Sequence, residues 1–358
     1  MPASFDIQSS AGPYRVDIRS GLFDEVLQRK DAVILCDHRF AERVAERGIP
    51  HVAVEAVETA KSLDAMTDTI VALRELGATR QSHLMVVGGG IVQDIGAFAA
   101  AVYMRGLPWS YVPTTLLGMA DSCIGGKSSI NVGKYKNLVG TIVPPQAVLI
   151  DPNFIEGLPP LQRAAGLCEA AKICFVRGPE AFDDYLADKP AVGMNVAAHE
   201  KTIHKSLLAK KWFVEIDEFD RKERLLLNFG HTFGHALEGA TNFGISHGIA
   251  VGLGIMCAID LGRRLGRDYS SLPRVALLDR HLQDLVANAN DLGDVLEKIT
   301  PSDACRYFVA DKKHGSAHFS AIVISEQGAV ERIALPKDKN TLALCEQAFK
   351  TVIDKYAA

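Results

Sequence analysis

The chain has 358 residues, of which 48% are hydrophobic, and a formal net charge of −4 at pH 7. This length is enough for two hydrophobic cores of roughly 100 to 200 residues each. The negative charge and the lack of a basic stripe exclude nucleic acid as the expected partner and favour a small-molecule substrate. The longest apolar run, residues 249–259, is shorter than the roughly 20 residues of a membrane span. Because the sequence also starts without a basic and then apolar segment, and its seven cysteines form no Cys-x-x-Cys pair, we expect a cytoplasmic protein with reduced thiols.

Strand and helix patterns alternate in the first part of the chain. An amphipathic helix with Leu63 and Leu73 on its apolar face ends before Gly77. Apolar runs predict four strands, at residues 32–37, 84–87, 111–113 and 147–151. This alternation predicts a parallel, Rossmann-like sheet covered by helices.

The pattern changes at Leu158-Pro-Pro160, beyond which long helical stretches dominate. The predicted helices cover residues 161–175, 192–213, 225–240, 249–265 and 272–288. We therefore predict an α/β domain over residues 1–160 and a mainly α-helical domain over residues 161–358.

A glycine triplet, Gly88-Gly89-Gly90, follows the strand at 84–87 and precedes an alanine-rich helix. Backbone amides at such a helix N-terminus suit a pyrophosphate, although the triplet differs from the Gly-x-Gly-x-x-Gly fingerprint and also fits a plain tight turn. Asp37 ends the preceding strand, where a carboxylate either accepts hydrogen bonds from ribose hydroxyls or caps a helix.

Three of the eleven histidines, His231, His235 and His247, fall within seventeen residues. On a helix, His231, His235 and Glu238 share one face. An i, i+4 histidine pair is typical of zinc sites, but the glutamate that follows the first histidine in zinc proteases is missing. Metal binding, substrate binding and hydrogen-bonded structural histidines therefore all fit the spacing.

Cationic residues recur in glycine-flanked loops: Arg105, Lys127 and Lys136, the last beside Asn137. Phosphate is the natural ligand for such loops, and ordinary solvated lysines are the alternative.

Together these segments resemble the 3-dehydroquinate synthases and the wider sugar phosphate cyclases over nearly the whole chain. The matching stretches are Glu58-Thr-Ala-Lys61-Ser62, Gly88-Gly-Gly-Ile-Val-Gln-Asp94, Tyr103-Met-Arg-Gly106, Val112-Pro-Thr-Thr-Leu-Leu117, Asp121-Ser122, Gly125-Gly-Lys127, Lys136-Asn137, Glu169-Ala-Ala-Lys172 and Leu227-Asn-Phe-Gly-His-Thr-Phe-Gly-His235.

The resemblance implies a metal site of Glu169, His231 and His247, holding zinc or cobalt, with His235 in contact with substrate instead. It also implies tightly held NAD in the first domain. The implied cofactor contacts are Asp37, Glu58, Lys61, Gly89, Gly90, Ile91, Asp94, Thr114, Thr115, Leu117, Asp121, Ser122, Lys127, Lys136 and Phe154.

The implied reaction converts 3-deoxy-D-arabino-heptulosonate 7-phosphate to 3-dehydroquinate and phosphate, by oxidation, phosphate elimination, reduction and an intramolecular aldol step, in the shikimate pathway to aromatic amino acids. Lys210 and Arg224 match the pair that holds the substrate carboxylate, and Arg105 is expected to reach in from the second subunit of a homodimer. The implied catalytic and substrate residues are Arg105, Asp121, Lys127, Lys136, Asn137, Lys172, Lys210, Arg224, Asn228, His235 and either Lys312 or Lys313.

Several positions depart from the common family pattern. Arg39 stands where asparagine is usual, Asp220 and Ile249 each replace a glutamate, and residues 128–129 and 132–135 differ around the phosphate loop. These departures leave open a secondary-metabolism cyclase acting on an amino analogue or on sedoheptulose 7-phosphate. A metal-dependent polyol or glycerol dehydrogenase is the alternative from another reaction class, against which the phosphate-binding lysines argue. A non-catalytic homologue is a further alternative, which the intact site residues disfavour.

Overall fold

The computed structural model describes residues 3–29, 31–133 and 135–357, so Lys134 of the departing loop lies outside the described residues. Internal contacts divide the chain into two compact units. Unit 1 comprises residues 1–158 and 194–219, and unit 2 comprises residues 159–193 and 220–358. The predicted assignment of cofactor binding to residues 1–160 and of metal and substrate binding to 161–358 stays a prediction.

The secondary structure has both predicted and unpredicted elements. The strands are β1 Ala3–Ile7, β2 Tyr14–Ile18, β3 Ala32–Asp37, β4 His51–Val54, β5 His83–Gly88, β6 Trp109–Pro113, β7 Lys127–Val132, β8 Tyr135–Ile142, β9 Ala147–Ile150, β10 His318–Ile324 and β11 Val330–Pro336. The α-helices are α1 Leu22–Val26, α2 Ala41–Ala45, α3 Ala65–Glu75, α4 Gly90–Val102, α5 Pro160–Arg177, α6 Pro179–Ala187, α7 Val196–Ile216, α8 His231–Ala240, α9 His247–Arg264, α10 Pro273–Val286, α11 Leu292–Leu296, α12 Pro301–Val309 and α13 Lys339–Tyr356. The predicted fold class, a Rossmann-like sheet domain followed by helices, is confirmed.

Unit 1 is built on a seven-stranded sheet in the order β1-β2-β9-β6-β5-β3-β4. β1 pairs antiparallel with β2, and the other neighbours are parallel. From β3 the chain moves outward to β4, then returns to β5 on the other side of β3 and continues towards β6. The direction of winding therefore reverses between β3 and β5, and ligands bind outside the carboxyl ends of parallel strands at such a reversal.

One core of unit 1 packs against a face of this sheet. Alternate residues of β3, namely Ala32, Ile34 and Cys36, are buried beside Met85 and Val87 of β5. The two-residue period of a strand places these side chains on one face. Because β3 is also buried on its other face, it reads as a continuous apolar run, which is why the sequence predicts it correctly.

Unit 2 is mainly helical, but the predicted helix at 225–240 was wrong in its first part. Residues Glu223–Asn228 form a 3-10 turn, and Gly230 follows with a φ of 80°, a left-handed conformation that favours glycine. A Cβ at Gly230 would lie 2.7 Å from the carbonyl oxygen of Val251 on α9. Both the positive φ and the close approach of α9 therefore require glycine at this position. Helix α8 begins directly after it, at His231.

None of the helices in the described ranges is long and apolar enough to cross a membrane.

Candidate functional site

The predicted ligand-binding residues of unit 1 form what we call the strand-end cluster, located at the reversal point of the sheet. Its members are Asp37, Glu58, Lys61, Gly89, Gly90, Asp94 and Thr114. Asp37 ends β3, and its Oδ1 accepts a hydrogen bond from the backbone N of Arg39 at 3.0 Å. The helix-cap alternative is thus observed for Asp37, while contact with a ribose stays a prediction.

Lys61 is the centre of a buried polar network in this cluster. Its side chain is 8% exposed, and Nζ lies 2.8 Å from Asp94 Oδ2 and 2.8 Å from Asn137 Oδ1. Glu58 Oε1 lies 4.0 Å from the same Nζ and 3.4 Å from that of Lys136. Burial raises the pKa of Asp94, an effect that Lys61 opposes. The structure therefore brings five predicted site residues into one network.

The turn between β5 and α4 has space and polar groups for a dinucleotide. A Cβ added at Gly90, the first residue of α4, would meet nothing within 4 Å, so the helix N-terminus is open. The backbone N of Thr114 donates to the Gly88 carbonyl oxygen at 3.0 Å, which holds Thr114 beside the triplet. Its hydroxyl is buried and has no hydrogen-bond partner in the part of the chain that the structure describes. An open helix N-terminus next to an unsatisfied buried hydroxyl fits the pyrophosphate-binding part of NAD.

The other predicted residues of unit 1 are more dispersed. Lys210 on α7 is buried and pairs with Asp121, with Nζ 2.5 Å from Oδ1. Ser122 donates from Oγ to Gln93 on α4 at 2.6 Å. Phe154 packs against two other aromatic rings of the core rather than standing free. The remaining predicted residues are the half-buried Ile91, Thr115 and Leu117 and the exposed Arg105 and Lys127.

In unit 2, the three sequence-predicted histidines and Glu169 form what we call the histidine cluster. One ligand nitrogen from each of His231, His235 and His247 lies within 4.8 Å of those of the other two. Glu169 Oε1 lies 3.7 Å from His231 Nε2 and 3.4 Å from His247 Nε2. Glu169 is 1% exposed, on α5, and Lys172 pairs with its Oε2. The geometry thus gathers the three proposed ligands together with His235.

Close packing of α8 against α9 brings the histidines together. A Cβ at Gly234 would lie 2.7 Å from the carbonyl oxygen of Ala250, so the two helix backbones touch there. His231 and His235 on α8 and His247 at the start of α9 then share one side of this contact.

A second carboxylate, not predicted as a site residue, reaches the cluster. Glu238 Oε1 lies 3.3 Å from His247 Nδ1, and the Phe229 carbonyl oxygen lies 3.4 Å from His231 Nδ1. Both imidazoles therefore direct Nε2 towards Glu169, the outer-shell arrangement found around metal ligands. Glu238 shares the α8 face of His231 at i+7, and that spacing is the signal that identifies it.

The electrostatics of the cluster favour a cation. Burial, together with Lys172, holds the pKa of His231 well below its usual range. Desolvation also lowers the pKa of His247, but the adjacent carboxylates of Glu169 and Glu238 outweigh it and raise that pKa to about 10. Glu169 Oε1 is buried and accepts no hydrogen bond from the residues that the structure describes. One such carboxylate and two imidazole nitrogens are a donor set that fits Zn²⁺ or Co²⁺.

Further predicted substrate residues lie elsewhere in unit 2. Arg224 is 3% exposed in the 3-10 turn that precedes α8, and Asn228 in the same turn donates to the Leu225 carbonyl oxygen at 3.0 Å. Lys312 is exposed, whereas burial lowers the pKa of Lys313, whose Nζ lies 3.5 Å from Asp311 Oδ2. The roles of these residues stay predictions.

Comparison with known sequences identifies the family. The sequence model of the 3-dehydroquinate synthase N-terminal domain matches residues 51–165, and that of the C-terminal domain matches residues 166–314. The 3-dehydroquinate synthase of Prochlorococcus marinus (strain MIT 9515) is 34% identical over 264 residues, which cover 73% of this chain and 71% of the relative. The chain belongs to the 3-dehydroquinate synthase family. The 3-dehydroquinate synthase of Xanthomonas oryzae pv. oryzae (strain PXO99A) is 37% identical over 243 residues, 63% of this chain and 66% of the relative, so the match spans just under two thirds of that family member.

Solved structures show the same fold. A 2-deoxy-scyllo-inosose synthase complexed with carbaglucose-6-phosphate, NAD⁺ and Co²⁺ superposes with a TM-score of 0.84 at 23% identity, covering 98% of this 3-dehydroquinate synthase family chain and 100% of the other. The 2-epi-5-epi-valiolone synthase ValA of Streptomyces hygroscopicus, with NAD⁺ and Zn²⁺ bound, has a TM-score of 0.77 at 24% identity, covering 96% and 97%. A probable glycerol dehydrogenase of Sinorhizobium meliloti is more distant, at a TM-score of 0.63 and 16% identity, with 96% and 97% covered.

Proposed function

We propose that the chain is a 3-dehydroquinate synthase, a phosphorus–oxygen lyase that converts 3-deoxy-D-arabino-heptulosonate 7-phosphate to 3-dehydroquinate and phosphate. The observation that carries this proposal is the histidine cluster around the buried Glu169, in a chain whose curated relatives carry that name. Family membership favours this activity over the glycerol dehydrogenase alternative.

The cofactors we propose are NAD⁺ and Zn²⁺, with Co²⁺ as an alternative metal. Two structural neighbours bind NAD⁺ together with Co²⁺ or Zn²⁺. When bound, NAD⁺ supplies a reversible hydride acceptor and the metal a Lewis acid. Glu169, His231 and His247 would hold the metal, and the strand-end cluster would hold the dinucleotide.

The protein's own residues then position the substrate. Lys172 fixes the direction of the Glu169 carboxylate through their ion pair. The buried Nζ of Lys313 donates no hydrogen bond to the described residues, and a substrate phosphate would accept one from it. The buried guanidinium of Arg224 suits bidentate binding of a carboxylate, which the proposed substrate carries.

The assembly and setting are also proposals. We place the enzyme in the cytoplasm, in the shikimate pathway, as a homodimer in which Arg105 approaches the partner's substrate. The exposed position of Arg105, with its left-handed φ of 71°, is consistent with such a role.

Phosphate release from 3-deoxy-D-arabino-heptulosonate 7-phosphate, by zinc-loaded protein with catalytic NAD⁺, tests the proposal. We expect phosphate and 3-dehydroquinate without net NADH, and loss of turnover in Arg224→Met. Arg221→Met, which changes an exposed arginine three residues away, is the matched control. Phosphate from sedoheptulose 7-phosphate alone would assign a neighbouring cyclase activity, and stoichiometric NADH from a polyol would overturn the proposal.

A further inference from the structure

The carboxyl end of β3 differs chemically from an ordinary NAD site. An acidic residue at this position of a dinucleotide-binding sheet accepts hydrogen bonds from the adenosine ribose hydroxyls and repels the 2′-phosphate of NADP⁺. Asp37 is that acidic residue, since it ends β3 beside the point at which β5 leads into the open N-terminus of α4. Cys36 pairs with Val87 in the sheet, which sets Asp37 level with Gly88.

The guanidinium of Arg39 forms an ion pair with the Asp37 carboxylate and covers it on the solvent side. Its Nη2 lies 2.8 Å and its Nε 3.2 Å from Asp37 Oδ2, while its backbone N takes Oδ1 at 3.0 Å. Both oxygens are therefore engaged, and the negative charge is neutralised by a guanidinium two residues away. The Asp37 side chain is 3% exposed and that of Arg39 is 59% exposed, so an incoming ligand meets the cation and not the acid.

The neighbouring charged side chains pair with other residues and leave the Asp37 carboxylate to Arg39. Oε1 of Glu55, the residue after β4, lies 4.0 Å from His38 Nδ1. On α2, Nη2 of Arg43 lies 2.5 Å from Asp24 Oδ1, and its guanidinium lies over the ring of Phe23. Arg39 is thus the cation of this segment that pairs with the predicted ribose acceptor.

We infer that Arg39 adapts this site to bind NADP⁺ as well as NAD⁺, by receiving the 2′-phosphate on its guanidinium. The inference rests on the proposed dinucleotide site. A planar guanidinium binds phosphate through two parallel hydrogen bonds, and its long side chain turns from Asp37 to the phosphate without moving the backbone. Asp37 keeps its hydrogen bond from the Arg39 backbone N, so its charge stays partly compensated when the guanidinium leaves.

Isothermal titration of the full-length protein with NAD⁺ and with NADP⁺, without substrate, tests this inference. For the wild type we expect the two dissociation constants to lie within about tenfold of each other. Arg39→Asn should raise the NADP⁺ constant roughly 10- to 100-fold, the value of a bidentate charged contact, and change the NAD⁺ constant less than about threefold. Arg39→Lys should fall between them, because it keeps the charge and loses the planar fork.

Arg43→Asn is the matched control, since it removes an equal charge from the same segment without touching Asp37. The inference is overturned if the wild type binds NAD⁺ but NADP⁺ more than about 100-fold more weakly, if Arg39→Asn weakens both dinucleotides equally, or if neither binds. Phosphate release with NAD⁺ is measured separately, so loss of the NADP⁺ site and failure of the proposed activity are distinguishable.

Discussion

Replacing Lys61 by methionine should destabilise unit 1 by about 3 kcal/mol, the lower end of the range for breaking a buried ion pair. The volume of the side chain is nearly kept, so the cavity contribution is small. Asp94, whose side chain is 19% exposed, loses its cationic partner. Asn137 Oδ1 loses the hydrogen bond that it accepts from the Lys61 ammonium group. The estimate stays at the lower end because Ser129 still donates to Asp94 from its backbone N at 2.9 Å and its Oγ at 3.1 Å.

The two tryptophans provide an assay specific to this unit. Trp109 on β6 and Trp212 on α7 both belong to unit 1, so intrinsic fluorescence during urea unfolding reports on unit 1. Lys136→Met is the matched control, because the Lys136 side chain is 35% exposed and its pair with Glu58 is worth little.

A double variant separates the lost ion pair from other effects. In Lys61→Met with Asp94→Asn, no charge is left uncompensated, so we expect most of the lost stability to return. Asp94 also sets the pH dependence: its folded-state pKa is already raised by burial and rises further without Lys61. The folded state then takes up the proton more readily than the unfolded state, so the deficit is largest at neutral pH and shrinks as the pH falls towards about 4. A loss below about 1 kcal/mol, or a double variant as unstable as the single one, would refute the reasoning.

Three further predictions concern unit 2. Glu238→Ala should weaken zinc binding roughly 10- to 100-fold, because His247 loses its 3.3 Å carboxylate partner; chelator competition measures this, and unchanged affinity contradicts it. Gly234→Ala should cost about 1–3 kcal/mol, because its Cβ would lie 2.7 Å from a carbonyl oxygen of α9; denaturation monitored by circular dichroism, with the unobstructed Gly193→Ala as control, checks the difference. Burial lowers the pKa of His281 to about 4. The free energy of unfolding that the neutral imidazole contributes should therefore be fully present above a pH of about 6.5 and be lost as the pH falls from there towards 4. Hydrogen exchange of Pro273–Val286 should follow this loss, and His281→Gln should flatten it; an unaltered profile in the variant would count against the assignment.

The sheet was predictable where burial dominates the sequence. The predicted strands at 32–37, 84–87, 111–113 and 147–151 correspond to β3, β5, β6 and β9, although Asp151 follows β9 as a cap. The β7–β8 hairpin was missed, because β8 has no buried residue and no continuous apolar run in its sequence. The break at Gly230 was missed as well, since helical periodicity does not register a backbone approach that only the packing with α9 creates.

The histidine cluster was only partly predictable from spacing. His231 and His235 stand four residues apart on α8, which their separation in the chain already implies. Glu169 lies 62 residues before His231, on another helix, and no local pattern connects them. The resemblance to a family supplied that link; Glu169 Oε1 lies 3.7 Å from His231 Nε2, and their shared role as metal ligands stays a prediction. The Lys61–Asp94 pair likewise joins separate elements and was not foreseen as a contact.

The path of the chain through the two units constrains the order in which the protein is made. Unit 1 includes α7, and Ser206 on this helix donates from Oγ to the Ala120 carbonyl oxygen at 2.8 Å, closing a buried contact with the turn that carries Asp121. A ribosome must therefore synthesise the first segment of unit 2, residues 159–193, before the last segment of unit 1 emerges. A nascent chain that stops at residue 158 lacks the helix that pairs Lys210 with Asp121. Such a nascent chain exposes an incomplete sheet domain to chaperones and proteases, and unit 1 is complete only when residue 219 has been synthesised.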